Sequence, residues 1–209
     1  MLDSPYVRRV AVALLAAGVP FAHRPISLFR HIDEFSKINP LLKAPTFVAD
    51  DGTALMDSGV ILDYLASVAP AVAALTPRAP ARRLEACRAT GLALVVMEKA
   101  VQRHYERALR PPERRHEPWI ARVERQLAAG LEALEREAPG SGWIGGGGLG
   151  VADISVVCAF GFTQPLLADV VDQARYPRLA AFCARGEALP AFRAAPALDG
   201  VTAPVAPAH

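Results

Sequence analysis

A serine–proline pair near the start of the chain has the residue types of both a helix cap and a reactive site. Ser4 is a favoured N-cap residue, and Pro5 is a favoured first helical residue. The apolar residues that follow recur at helical spacing: Val7, Val10, Ala11 and Leu14. A helix N-terminus also carries partial positive charge and free N–H groups, which stabilise a thiolate. The pair alone favours a cap, and a reactive serine would need other residues to hold its ligand.

Two further groups could hold such a ligand. Lys43, Ala44 and Pro45 open an apparent strand, where a cis-proline would expose the neighbouring backbone. Asp57 and Ser58 precede the next helix, where they would present N–H groups and a hydroxyl to a carboxylate. Each group also has a structural interpretation, as an edge proline in the first case and as a capping pair in the second.

The elements that would position these groups alternate in type up to about residue 70. After the first helix, which Gly18 is placed to end, residues 20–28 predict an extended strand and residues 31–39 a short helix. Asp51–Gly52 lies between two short apolar stretches and predicts a hairpin. A further helix face is formed by Ile61, Tyr64, Leu65 and Val68. This alternation predicts a small α/β sheet covered by helices.

The rest of the chain predicts helices only. Residues 69–82 contain three prolines and little periodicity, which is typical of a linker. The predicted helices beyond it span about 81–109, 118–137, 151–162 and 176–189. We therefore expect an α/β domain at 1–70, a linker at 71–80 and an all-α domain at 81–209, with an irregular tail over 195–209.

Composition narrows the class of protein. The 209 residues carry a net charge of +2, which gives no support to a nucleic-acid partner. The three cysteines are far apart, which argues against a disulfide framework and favours a reducing compartment. No spacing of ligands predicts a metal site, and no segment predicts a signal peptide or a membrane span. We therefore expect a cytoplasmic protein without metal.

The segments SPYVRRV and NPLLKAPTFVADDGTALMDSGVILDYL resemble the glutathione transferase superfamily, of the bacterial Ser-Pro-aromatic type near the tau, omega and beta classes. The resemblance extends over nearly the whole chain. It implies a thioredoxin-like N-terminal domain, an all-helical C-terminal domain and a homodimer. It also implies glutathione as co-substrate, a small hydrophobic electrophile as second substrate, and a role in detoxification.

The resemblance also implies roles for particular residues. Ser4 would donate a hydrogen bond to the glutathione sulfur, while Asp57 and Ser58 would hold the γ-glutamyl group. Ala44 and Pro45 would pair with the peptide backbone, and Lys43 would bind the glycine carboxylate. The second-substrate pocket, which lies between the domains in this family, would be lined by Tyr6, His104 and Tyr105. From the residues alone, Tyr6 is favoured for the core or the pocket wall, and surface and interface packing is favoured for the two helix residues.

Two departures from the family pattern stand out. Only three residues precede Ser4, too few for the strand with which family members begin. We expect that a short apolar strand is encoded upstream in frame, which a stop codon immediately before Met1 would disprove. In the second departure, Gly150 occupies a helix-cap position where the family has serine or threonine. Asp153 should then be structural and accept hydrogen bonds from N–H groups at that helix start.

Three functions stay open on this scaffold. A transferase is favoured, since a serine suits conjugation whereas a cysteine would suit mixed-disulfide chemistry. A glutathione-dependent isomerase, lyase or dehalogenase is a second possibility, because a fold does not fix the chemistry. A protein that has lost catalysis and acts in binding or regulation is the third. Product analysis separates the enzymes, and glutathione binding without turnover would indicate the non-catalytic protein.

Overall fold

A computed structural model describes residues 1–197 and residue 202. Most of the predicted irregular tail therefore lies outside the described residues. By the contacts between its residues, the chain divides into two units. The first unit holds residues 1–76 together with the described residues from Ala188 onward, and the second spans Pro77–Glu187. Within the described residues, no helix is both long enough and apolar enough to cross a membrane.

The first unit combines short helices with a hairpin. Its elements in chain order are α1 (Pro5–Ala16), α2 (Ile32–Ile38), β1 (Thr46–Val48), β2 (Ala54–Met56), α3 (Ser58–Val68), α4 (Pro70–Ala73) and, after the second unit, α9 (Pro190–Arg193). The strands β1 and β2 are antiparallel and are joined by the predicted Asp51–Gly52 turn, where Gly52 adopts a φ of +88°. The hairpin and the helices on either side of it follow the sequence prediction.

The strand predicted over residues 20–28 does not form, and this part of the prediction is wrong. The segment is extended but pairs with no other strand, and the sheet of the described residues contains β1 and β2 only. Pro20 and Pro25 have no backbone N–H, so two of the donors that a ladder would use are missing. Residues 1–3 form a turn ahead of α1.

The core of the first unit lies between α1, α3 and α9. Buried apolar side chains on α1 and α3 include Val10, Val12, Leu14, Ile61, Leu62 and Leu65. The buried Arg8 connects α1 to the C-terminal segment, since its Nε donates to the Ala195 carbonyl at 2.7 Å and its guanidinium lies over the Phe192 ring. These contacts explain why residues from Ala188 onward belong to the first unit.

The second unit is helical throughout its described residues. Its helices are α5 (Pro80–Ala108), α6 (Glu117–Glu137), α7 (Val151–Leu166) and α8 (Pro177–Glu187), with short 3-10 turns at Pro112–Arg114 and Gln173–Arg175. Residues 152–160 of α7 are all buried, which agrees with its almost wholly apolar sequence. The segment predicted as a linker contains α4, and the long helix begins within it at Pro80.

Candidate functional site

Ser4 is the N-cap of α1, but its side chain caps the helix weakly. Its Oγ accepts from the Val7 N–H at a donor–acceptor distance of 3.5 Å, whereas well-formed hydrogen bonds of this type are about 2.9–3.0 Å long. The side chain is partly exposed, and its hydroxyl proton has no acceptor among the described residues. The hydroxyl is therefore available to a ligand at the positive end of α1.

The hairpin register places the other two groups side by side. Thr46 of β1 is paired with Met56 of β2. Pro45 and Asp57 each lie one residue beyond that pair, so they occupy the same end of the hairpin. The Ala44–Pro45 peptide bond is cis, Pro45 is buried, and Lys43 is exposed. Residues twelve positions apart in the sequence thus lie at the same end of the hairpin.

A buried asparagine organises the loop that carries Lys43. Asn39 is 2% exposed, and its Nδ2 donates to the Lys43 carbonyl at 3.3 Å and to the Thr46 Oγ1 at 2.9 Å. Its Oδ1 accepts from the Leu41 N–H at 3.0 Å. Sequence analysis missed this role, although an asparagine directly before a proline is a recognisable turn signal.

Asp57 and Ser58 form the N-terminus of α3. The Asp57 Oδ1 accepts from the Gly59 N–H at 2.7 Å, which makes this cap much tighter than the one at Ser4. Asp57 has a φ of +72°, a left-handed conformation that is uncommon outside glycine. Ser58 is 1% exposed, and its Oγ accepts from Nη1 of Arg9 at 2.8 Å. Through this hydrogen bond, the helix that carries Ser4 is joined to the start of α3.

Arg9 is a second residue that sequence analysis missed. It is 2% exposed although it carries a guanidinium group, and it follows a second buried arginine, Arg8. Two consecutive arginines inside an otherwise apolar helix were the available signal, because arginine is almost never fully buried without a partner.

The predicted second-substrate residues fall in different units. Tyr6 lies in the first turn of α1 in the first unit, whereas His104 and Tyr105 lie near the end of α5 in the second. The His104 and Tyr105 rings have centroids 6.0 Å apart. A cavity of about 420 Å³ within the second unit involves neither of them; it is lined by α6 and by Val170, Val171 and Tyr176. The role of these three residues stays a prediction.

Asp153 lies at the start of α7, in the second unit. It is fully buried, and its two carboxylate oxygens accept from the Ile144 N–H at 2.8 Å and the Gly150 N–H at 2.7 Å. Burial raises the pKa of Asp153 to about 6, although both hydrogen bonds act in the opposite direction. Its contacts are therefore those of a residue that fixes the loop before α7.

A resident metal has no ligand set in the described part of the chain, where no group of three or more His, Cys, Asp or Glu residues could hold an ion. The groups gathered in the first unit are instead a hydroxyl, a carboxylate, an ammonium and backbone polar atoms. Groups of these types can hold a small, charged peptide and orient a thiol.

Comparison with known families matches two regions of the chain. Residues 1–73 match the model described as "Glutathione S-transferase, N-terminal domain". Residues 117–185 match the model described as "Glutathione S-transferase, C-terminal domain". Together the two matches cover well over half of the 209 residues.

Individual relatives give a consistent result. An uncharacterised GST-like protein of Escherichia coli, YibF, is 29% identical over 166 residues, which cover 76% of this chain and 77% of that protein. Maleylacetoacetate isomerase of Pseudomonas aeruginosa is 27% identical over 156 residues, with 71% and 72% covered. A glutathione S-transferase of Methylobacillus flagellatus, solved with GSH bound, is 27% identical with a TM-score of 0.83, over 92% of this chain and 95% of that one. These similarities confirm the predicted fold class, a thioredoxin-like domain followed by an all-helical one.

Proposed function

The chain belongs to the glutathione S-transferase family, and on that basis we propose that it binds glutathione and activates its thiol for attack on a hydrophobic electrophile. Relatives solved with glutathione bound support the choice of co-substrate. The residues of the first unit that were predicted for glutathione lie at the α1 N-terminus, at one end of the hairpin and at the α3 N-terminus.

The observation that carries the proposal is the weak cap at Ser4. A serine that served only as a cap would hold an N–H at ordinary hydrogen-bond length, as Asp57 does at 2.7 Å. The Ser4 contact of 3.5 Å holds the hydroxyl oxygen only weakly. A hydroxyl that accepts a hydrogen bond keeps its own proton, and the Ser4 proton has no acceptor among the described residues, so it can be donated to a sulfur placed at the helix end.

The chemistry follows from this placement. A hydrogen bond donated to sulfur stabilises the thiolate relative to the thiol, and the partial positive charge of the α1 N-terminus acts in the same direction. Each unit by which the thiol pKa falls corresponds to about 1.4 kcal/mol. The thiol proton leaves to solvent, and the thiolate then forms a carbon–sulfur bond with the electrophile. A serine forms no mixed disulfide, so thiol–disulfide exchange is disfavoured.

The remaining residues would hold the tripeptide. In this proposal the Asp57 carboxylate pairs with the α-amino group of the γ-glutamyl residue, and Ser58 donates to its carboxylate. The backbone at Ala44 and Pro45 pairs with the cysteinyl backbone. The exposed ammonium of Lys43 pairs with the glycine carboxylate.

We place this activity in the cytoplasm and in a homodimer. None of the three cysteines forms a disulfide, which suits a reducing compartment: Cys87, Cys158 and Cys183. The exposed face of α3 includes Val60, Tyr64 and Val68, which would be covered by a second copy of the chain.

Glutathione affinity and the pKa of the bound thiol test the proposal. We expect calorimetry to show binding to the parent and to Ser4→Ala, while thiolate absorbance titrates at lower pH in the parent alone. Ser4→Ala should cost less than about 0.5 kcal/mol of stability, below the usual range for losing a cap. Ser67→Ala in α3 is the matched control, because its exposed hydroxyl donates only to the Tyr64 carbonyl. Equal thiol pKa values in parent and Ser4→Ala would refute the role of Ser4, and no binding by the parent would refute the proposal.

A glutathione-dependent isomerase is the second candidate, favoured by the similarity to maleylacetoacetate isomerase. The two activities differ in what happens to glutathione: a transferase consumes one molecule per turnover, whereas an isomerase regenerates it. Mass spectrometry of glutathione before and after turnover separates them. A thiol bound and activated without turnover of any electrophile would instead favour the non-catalytic binding protein.

A further inference from the structure

A buried hydrogen bond joins the two helices that begin at the proposed glutathione site. Nη1 of Arg9 in α1 donates to the Oγ of Ser58 at 2.8 Å, across 49 positions of sequence. Arg9 is 2% exposed and Ser58 is 1% exposed. A hydrogen bond from a charged donor is stronger than a neutral one, and burial protects it from competition by water.

We infer that Arg9 is a positioning residue for glutathione, which acts through Ser58 on the γ-glutamyl end of the tripeptide. The inference rests on the proposed function, because it assumes that Ser58 binds the γ-glutamyl carboxylate. It goes beyond that function by adding a residue of α1 that touches no substrate in this scheme.

The hydrogen-bonding capacity of serine explains how Arg9 acts. A serine hydroxyl has one proton to donate and two lone pairs to accept, whereas a guanidinium can only donate. Arg9 therefore occupies a lone pair of the Ser58 oxygen and leaves the proton to be donated elsewhere. Among the described residues, that proton has no acceptor. A ligand carboxylate supplies one, and the hydroxyl is already oriented when the ligand arrives.

Arg8 provides a matched comparison in the same helix. It is also 2% exposed, but its Nε donates to the Ala195 carbonyl at 2.7 Å, and its guanidinium lies over the Phe192 ring. Both of these contacts are to the C-terminal segment of the first unit. Replacing Arg8 tests the effect of losing a buried arginine from α1 without losing the contact with Ser58.

A double-mutant cycle on glutathione affinity tests the inference. Calorimetry on the full chain would compare the parent, Arg9→Met, Ser58→Ala and the double variant, with thermal unfolding of each as a check of folding. We expect Arg9→Met to weaken binding about tenfold in the parent and by no more than about twofold in the Ser58→Ala background. Arg9→Lys keeps a charged donor and should restore most of the affinity; it also tests the contact if Arg9→Met does not fold. Arg8→Met should lower the melting temperature and leave the affinity within about twofold of the parent.

The outcomes separate this inference from the proposed function. If the parent binds glutathione but Arg9→Met weakens binding equally in both backgrounds, Arg9 does not act through Ser58 and the inference is wrong. The same conclusion follows if Arg8→Met weakens binding as much as Arg9→Met, since the loss is then a general effect on α1. If the parent binds no glutathione at millimolar concentration, the proposed function is refuted. The inference, which rests on that function, is then refuted as well.

Discussion

At the scale of single residues, burial and hydrogen bonding act in opposite directions on Asp153. Its carboxylate accepts two backbone N–H groups, yet burial raises its pKa from 3.8 to about 6. A raised pKa means that the folded protein binds more protons than the unfolded chain between these values. The contribution of Asp153 to stability is therefore fully present below about pH 4 and is lost as the pH rises through 6, by about 3 kcal/mol.

The variant Asp153→Asn checks this pH dependence. Asparagine does not titrate. The difference in free energy of unfolding between the parent and Asp153→Asn should therefore shrink as the pH rises from 4 to 6. Denaturant unfolding at intervals of one pH unit measures this difference. Asp51 provides a control, because it should show the opposite pH dependence. Its hydrogen bond with Thr53 lowers the pKa of Asp51, so its contribution to stability is lost as the pH falls. A difference that grows towards pH 6 would contradict the prediction for Asp153.

Single residues also show how far sequence could predict the site. The caps at Ser4 and Asp57 and the cis bond before Pro45 agree with the sequence prediction, because caps, prolines and turns have local sequence signals; their roles towards glutathione stay predictions. Arg9 and Asn39 were not predicted, because their partners lie in other elements: Ser58 is 49 positions from Arg9, and Asn39 reaches Met56 as well as its own loop. The arginine pair and the asparagine–proline turn are local signals that mark these positions, but the partner and the burial of each side chain depend on what folds over it.

At the scale of elements, two glycines decide how closely the helices of the second unit approach. A Cβ at Gly130 of α6 would lie 2.8 Å from Cγ2 of Val96, and one at Gly186 of α8 would lie 2.5 Å from Cγ2 of Val157. Both valines are fully buried, and a β-branched side chain has few alternative rotamers in a helix. The helix pairs can therefore not absorb a methyl group without moving apart.

Alanine substitutions test this close packing. Alanine normally stabilises a helix by about 1 kcal/mol relative to glycine. We expect Gly130→Ala and Gly186→Ala each to lower the free energy of unfolding by about 1–3 kcal/mol instead, because overpacking outweighs helix propensity. Gly91→Ala in α5 is the matched control, since nothing lies within 4 Å of its added Cβ, and it should stabilise the protein. Stabilisation by all three substitutions would show that propensity prevails at every site.

Elements with a local signal were predicted well, and those that need a partner were not. The 3.6-residue periodicity located α1, α3 and α6 to within a few residues, the apolar run over 151–162 located α7, and the prolines at 111–112 marked the end of α5. The Asp51–Gly52 turn located the hairpin. The segment 20–28 has the composition of a strand, but a strand also requires a neighbour to pair with, and it has none among the described residues. Whether a segment becomes a strand depends on the neighbouring strand with which it pairs. That neighbour lies elsewhere in the sequence, so a short window of sequence does not reveal it.

At the scale of the whole molecule, the C-terminal segment joins the first unit rather than the helices that precede it. Its anchor is Arg8, which bonds to the Ala195 carbonyl across 187 positions of sequence. The predicted boundary at residue 81 followed a local change from mixed to helical composition. Composition could not predict that the C-terminal segment packs on the first unit, because long-range packing leaves no periodic signal in either of the two sequences.

Association with a second copy is the prediction that belongs to the molecule as a whole. Val60, Tyr64 and Val68 recur every four residues on α3 and are 54%, 37% and 57% exposed. An apolar stripe of this kind is costly to leave in water, so we expect the chain to be a dimer at micromolar concentration. Light scattering should show the dimer mass for the parent and the monomer mass for Val60→Lys/Val68→Lys. The control Leu109→Lys, at a side chain 58% exposed in the second unit, should stay dimeric. A monomeric parent, or a double variant that stays dimeric, would show that α3 does not form the contact.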